Sequence, residues 1–112
     1  MKNIYRIAII GYTGRGGYGH ELDMAFDGVE GARVIAISDP DDLGRHQTLE
    51  KKGAEKGYNN YHQLLEVEKP DITVVASREI GYHLDMVLAA AEAGSHIYLE
   101  NRQLPPPWKL NA

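Results

Sequence analysis

The stretch IYRIAIIGYTGRGGYGHELDMAF, which begins at Ile4, constrains the fold of this chain more than any other. An apolar run rich in branched residues, Ile4 to Ile10, breaks at Gly11 into a turn with further glycines at 14, 16, 17 and 19. Apolar spacing then resumes with a helical period: Tyr18, Leu22, Ala25, Phe26 and Val29 form one stripe, closed by Gly28 and Gly31. A buried strand that turns on glycine into a helix gathers backbone N–H groups and the positive end of a helix at one point. That is a setting for a pyrophosphate.

The same rhythm continues along the chain. Arg33 to Ser38 (RVIAIS) reads as a second buried strand, stopped by Asp39-Pro40. Leu43 to Lys56 carries many charges and few apolar residues, which predicts a helix lying mostly in water. A short third strand or extended piece is expected around Tyr58 to Tyr61, and a brief helix around Leu64 and Leu65. After Pro70, Asp71 to Ser77 (DITVVAS) is the fourth strand in order. A longer helix follows, with Ile80, Leu84, Val87, Leu88 and Ala91 on its predicted apolar face and Gly94 just past its end. His96 to Leu99 is the last strand.

Strands alternating with helices imply parallel pairing through right-handed crossovers. The fold class is therefore α/β, a Rossmann-like doubly wound sheet of about five strands in the order 3-2-1-4-5, with no second domain. Residues 1–100 form the dinucleotide-binding domain. Residues 101–112 (NRQLPPPWKLNA) form an extended or disordered tail, because three consecutive prolines cannot continue a helix or a ladder.

Composition excludes several functions. With 12 Lys and Arg against 16 Asp and Glu the formal charge is -4, and there is no basic block, so nucleic-acid binding is not expected. The absence of cysteine rules out disulfides and thiolate chemistry. The five histidines fall on separate elements without metal-ligand spacing, so no metal site is expected. No apolar run approaches the roughly 20 residues of a membrane span, and the N-terminus reads as the first strand rather than a leader. A cytoplasmic protein is expected.

The glycines fit two registers. Gly14, Gly16 and Gly19 match G-x-G-x-x-G literally but begin three residues after the strand ends. Gly11, Thr13 and Gly16 begin where the strand stops, as the tight turn requires, with Thr at the point of closest phosphate approach. The second register is favoured, with Gly14 supplying freedom that Thr13 removes and with Thr13 and Arg15 contacting phosphate oxygens. Asp39, at the end of the second strand, is placed to accept hydrogen bonds from the adenosine ribose and to repel a 2'-phosphate. NAD is expected; Arg45 keeps NADP as an alternative.

On the segments IAIIGYTGRGGYGH, VIAISDPD, GYNNYHQLLEVEKPDITVVAS and HLDMVLAAAEAGSHIYLE, the chain resembles the N-terminal domain of the glucose-fructose oxidoreductase, inositol dehydrogenase and MocA (Gfo/Idh/MocA) family. The resemblance implies binding of NAD or NADP and hydride exchange with a sugar, polyol or related substrate. A following α/β domain supplies substrate contacts in that family. His83 matches a histidine often found on the helix after the fourth strand. The cofactor contacts expected are Gly11, Tyr12, Thr13, Gly14, Arg15, Gly16, Asp39, Ser77, His83 and Glu100. Glu100 has two open readings, contact with the nicotinamide ribose or exposure to water.

Two departures matter. Where the family typically continues Glu-Lys-Pro, with a lysine that assists proton transfer, this chain has Glu100, Asn101 and Arg102. An amide does not titrate, and Arg102 is displaced and always protonated. Where relatives often have Thr-Pro, this chain has Arg78-Glu79. The expected function is an NAD(H)-binding domain without the full hydride-transfer site, and no catalytic residue is assigned. The alternatives are an oxidoreductase, or an NAD-dependent glycosidase, completed across a homo-oligomer, and an interaction module with a vestigial pocket. An open fifth-strand edge predicts a homodimer or higher assembly.

Overall fold

The computed structural model describes residues 4–12, 30–76 and 80–99, the last segment without the side chains of 80–83 and 99. The predicted first helix and the proline-rich tail lie outside the described residues. The elements are β1 (Tyr5–Ile10), β2 (Ala32–Ser38), α1 (Asp42–Lys52), β3 (Lys56–Tyr58), α2 (Tyr61–Glu68), β4 (Ile72–Val75), α3 (Ile80–Glu92) and β5 (His96–Leu99). They build a five-stranded sheet in the order β3-β2-β1-β4-β5. All four pairings are parallel, as the strand-helix alternation requires.

β1 sits at the centre, and its alternate side chains feed two cores. Ala8 and Ile10 join Ala36, Leu64, Leu65, Val75, Met86 and Ala90 beneath α2 and α3. Ile7 and Ile9 join Ile37, Val74 and Ala76 on the opposite face, where Leu49 of α1 packs against them. A strand covered on both faces reads as a continuous apolar run, which is why Ile7 to Ile10 are all at most 1% exposed. No helix among the described residues is long and apolar enough to cross a membrane.

Local chemistry sets the element ends. α1 begins at Asp41, whose carboxylate accepts from the Gly44 N–H, and ends at Gly53 in the left-handed region at φ 66°. It ends before the predicted Lys56, which instead starts β3. Gly57 lets α1 lie close to β3: a Cβ there would come within 2.7 Å of Leu49 Cδ1. The strand predicted around Tyr58 to Tyr61 lies earlier, because Asn60 is the cap of α2 and accepts from the His62 N–H at 2.8 Å.

One expectation fails. On α3 the predicted apolar face included Leu84, Leu88 and Ala91, but Leu84 is 70% exposed, Leu88 52% exposed and Ala91 exposed. The packed face carries Met86 and Ala90, flanked by Val87, Ala89 and Ala93. The helix sequence is apolar nearly all round, so its period fits two faces. The face that packs is the one whose alanines allow close approach to the sheet.

Candidate functional site

The carboxyl ends of the strands meet at one rim, and the ladders continue past the strand ends to fix it. The Gly11 N–H donates to Ser38 O at 2.9 Å, Asp39 N–H to Tyr58 O at 2.9 Å, and Ala76 N–H to Ile10 O at 2.9 Å. These bonds bring the residues that follow β1, β2 and β3 side by side. A cleft of about 210 Å³ opens there, lined by Gly11, Tyr12, Pro40, Asn59, Asn60, Tyr61, His62 and Met86. The chain order reverses between β1 and β4, and the cleft opens beside that point on the β2-β3 side, at the carboxyl ends of the strands where open parallel sheets usually take ligands.

Of the residues expected from sequence, Gly11 and Tyr12 line this cleft. Asp39 is fully buried and is not among the residues that line the cleft, although Pro40 directly after it is; the Asp39 Oδ1 accepts from the Asp41 N–H at 2.9 Å. The carboxylate therefore shapes the turn between β2 and α1 as well as marking the strand end. His83 falls in α3, with its side chain outside the described residues. Thr13, Gly14, Arg15, Gly16, Ser77 and Glu100 lie outside the described residues altogether.

Arg45 is not a free cation waiting for a phosphate. Its guanidinium donates to the Asp39 carbonyl at 2.9 Å and to Asp42 Oδ1 at 2.7 Å. Asp39, Asp41 and Asp42 cluster around it at this corner.

The sequence reading missed the far wall. Asn60, Tyr61 and His62 enter the cleft from the start of α2, and α3 supplies Met86 and, beside it, Asp85. The Tyr61 hydroxyl donates to Asp85 Oδ2, and His62 Nε2 lies 2.8 Å from the same oxygen. The Tyr61 and His62 rings stack with centroids 4.5 Å apart. The Tyr61 hydroxyl first, and His62 after it, hold the Asp85 carboxyl below its ordinary value of 3.8. The signal that was available is the Asn-Asn pair directly after a short strand: an amide before an amphipathic turn is a helix cap, which puts the next residues at the rim. Among the described residues no group of three or more His, Cys, Asp or Glu is arranged to hold a metal.

Residues 5–101 match the family described as "Oxidoreductase family, NAD-binding Rossmann fold". The chain is 34% identical over 95 residues to myo-inositol 2-dehydrogenase of Thermotoga maritima, covering 85% of this chain and 27% of that protein. It is 30% identical over 100 residues to scyllo-inositol 2-dehydrogenase (NAD(+)) of Bacillus subtilis, covering 89% of this chain and 28% of the relative. The chain thus spans little more than a quarter of the curated relatives it matches. In fold it is similar to scyllo-inositol dehydrogenase of Lactobacillus casei with bound NAD(H) and scyllo-inositol, with a TM-score of 0.70 at 20% identity, covering 84% of this chain and 27% of that one.

Proposed function

The chain belongs to the Gfo/Idh/MocA oxidoreductase family, of which residues 5–101 match the NAD-binding Rossmann domain, and from that premise we propose that it captures NAD(H) at the β1-β2-β3 rim without itself completing hydride transfer. The observation that carries this reading is the convergence of Gly11 and Tyr12 with Pro40, Asn59 and Met86 on one cleft beside the topological switch point. In this reading the glycine-rich segment that follows Gly11 in sequence binds the pyrophosphate and Asp39 accepts from the adenosine ribose. A carboxylate offers about four acceptor positions. NAD is preferred over NADP because three carboxylates gather where a 2'-phosphate would sit. Asn101 in place of the family's lysine removes the group that would move the proton at the reacting carbon.

Calorimetric titration with NAD, NADH and NADPH tests the reading. Saturable heat with NAD or NADH and a weaker response to NADPH is expected; a flat trace with all three sinks it. Asp39→Asn is the informative variant, because the amide oxygen still accepts from the Asp41 N–H while the negative charge offered to the ribose hydroxyls is lost. Asp39→Ala would break the turn as well.

A second reading has its own observation. β5 is a sheet edge with no strand beyond it among the described residues, and Leu84, Leu88 and Tyr98 beside it are 70%, 52% and 44% exposed. Open backbone groups next to apolar side chains favour self-association. An oxidoreductase site for a polyol, completed between subunits, would then give a substrate-dependent change in NADH absorbance that disappears on dilution. Sedimentation of the Leu84→Glu, Leu88→Glu double variant as a smaller species than wild type supports this surface; identical sedimentation removes it.

A further inference from the structure

The geometry points to Asn59 as the residue that reads the base of the dinucleotide, its amide paired with the amino and N7 edge of adenine; the assignment rests on the NAD-binding reading of the cleft. The register of the sheet places it there. Ser38 of β2 faces Tyr58 of β3, and the Asp39 N–H donates to Tyr58 O at 2.9 Å. In that register the residues that follow the two strands, Asp39 after Ser38 and Asn59 after Tyr58, are neighbours, and Pro40 and Asn59 both line the cleft. A base leaving a ribose held at Asp39 enters the space between them, with Tyr12 and Met86 as the other walls.

The neighbours of Asn59 are already committed. Asn60 accepts from the His62 N–H, and Tyr61 and His62 are held by Asp85. This fixes the backbone immediately after Asn59 from two directions. Asn59 itself is exposed to the cleft and makes no side-chain hydrogen bond among the described residues. An amide carries one acceptor oxygen and one donor nitrogen. Adenine presents the complement, an amino group that donates and an N7 that accepts, and a two-bond pairing of this kind is how asparagine selects adenine in nucleic acids. Hypoxanthine keeps N7 but has a carbonyl in place of the amino group, so one of the two bonds is lost.

The test is titration of the whole chain with NAD and with nicotinamide hypoxanthine dinucleotide, which differ at the C6 substituent and in the proton that hypoxanthine carries on N1. Wild type is expected to bind NAD about tenfold more tightly, within the range for one well-placed amide pair. Asn59→Ala should weaken NAD binding until the two dinucleotides bind alike, and Asn59→Leu should do the same while keeping the volume. Equal wild-type affinities, or a preference that survives in both variants, removes Asn59 as the reader and leaves NAD binding standing. No saturable heat with either dinucleotide removes both. The wild-type comparison needs no variant, so the outcome does not depend on how a substitution folds.

Discussion

The two ends of the sheet differ in how completely their polar groups are used. At the amino end, the Arg6 N–H donates to Asp71 Oδ2 at 2.8 Å and the Asp71 N–H donates back to Arg6 O at 2.9 Å. The Arg6 guanidinium reaches the last turn of α2, donating to Glu68 O at 2.6 Å and to Glu68 Oε1 at 3.2 Å. The other carboxylate oxygen takes the Tyr58 hydroxyl at 2.5 Å. Nearby, the buried Thr73 and Ser95 hydroxyls pair at 2.8 Å. At the carboxyl end, the rim stays open around a cleft, and its main side-chain clasp, Tyr61, His62 and Asp85, stands in water. One end of the sheet is thus closed by side-chain bonds, while a cleft opens at the other.

The largest effect that tests this division is Glu68→Ala. It removes the carboxylate that accepts from Tyr58 and from one Arg6 nitrogen while keeping the backbone carbonyl that accepts from the other, and Glu68 is only 10% exposed, so a loss of about 1–3 kcal/mol is expected in urea unfolding. NAD affinity should not change. If affinity falls in step with stability, the two ends are coupled and the separation is wrong.

Tyr58→Phe is smaller, about 1 kcal/mol near neutral pH for the lost hydroxyl bond. It also has a signature in alkali. Burial, and after it the Glu68 carboxylate, push the Tyr58 phenol from 10.0 up to about 12. The folded state therefore holds this proton more tightly than the unfolded chain does. The associated stability is intact below pH 10 and drains away as pH rises toward 12. Unfolding midpoints of wild type should fall more steeply than those of Tyr58→Phe across that interval; parallel curves would detach Tyr58 from the closed end.

What was legible in the sequence follows the same line. The strands and their order were readable because a buried parallel strand must be a continuous apolar run, as Ile7 to Ile10 are. Gly11, Tyr12 and Asp39 were readable as rim positions because they stop such runs. The buried face of α3 was not readable: period alone cannot choose between Leu84-Leu88 and Met86-Ala90 when both are apolar, and only contact with the sheet decides. The far wall of the cleft was missed for a related reason. Asp85 and His62 are 23 residues apart and meet only because α2 and α3 pack side by side, and no spacing rule encodes that distance.

The smallest expected change in stability, and the sharpest probe of the open end, is Asp85→Asn. In the native protein the Tyr61 hydroxyl and His62 hold the Asp85 carboxyl below 3.8, so the folded state binds this proton less tightly than the unfolded chain. That contribution is present above about pH 4 and is lost as pH falls through the lowered value. Asp85→Asn should flatten the acid limb of the stability curve in that range while changing the neutral midpoint little, as expected for a clasp in solvent. Its effect on binding should be larger than its effect on folding. Without the carboxylate, Tyr61 and His62 regain rotamer freedom that a ligand must remove, which predicts NAD binding weakened by roughly two- to tenfold. A flattened acid limb with unchanged NAD affinity would assign the clasp to the fold alone and move the ligand wall to Asn59 and Pro40.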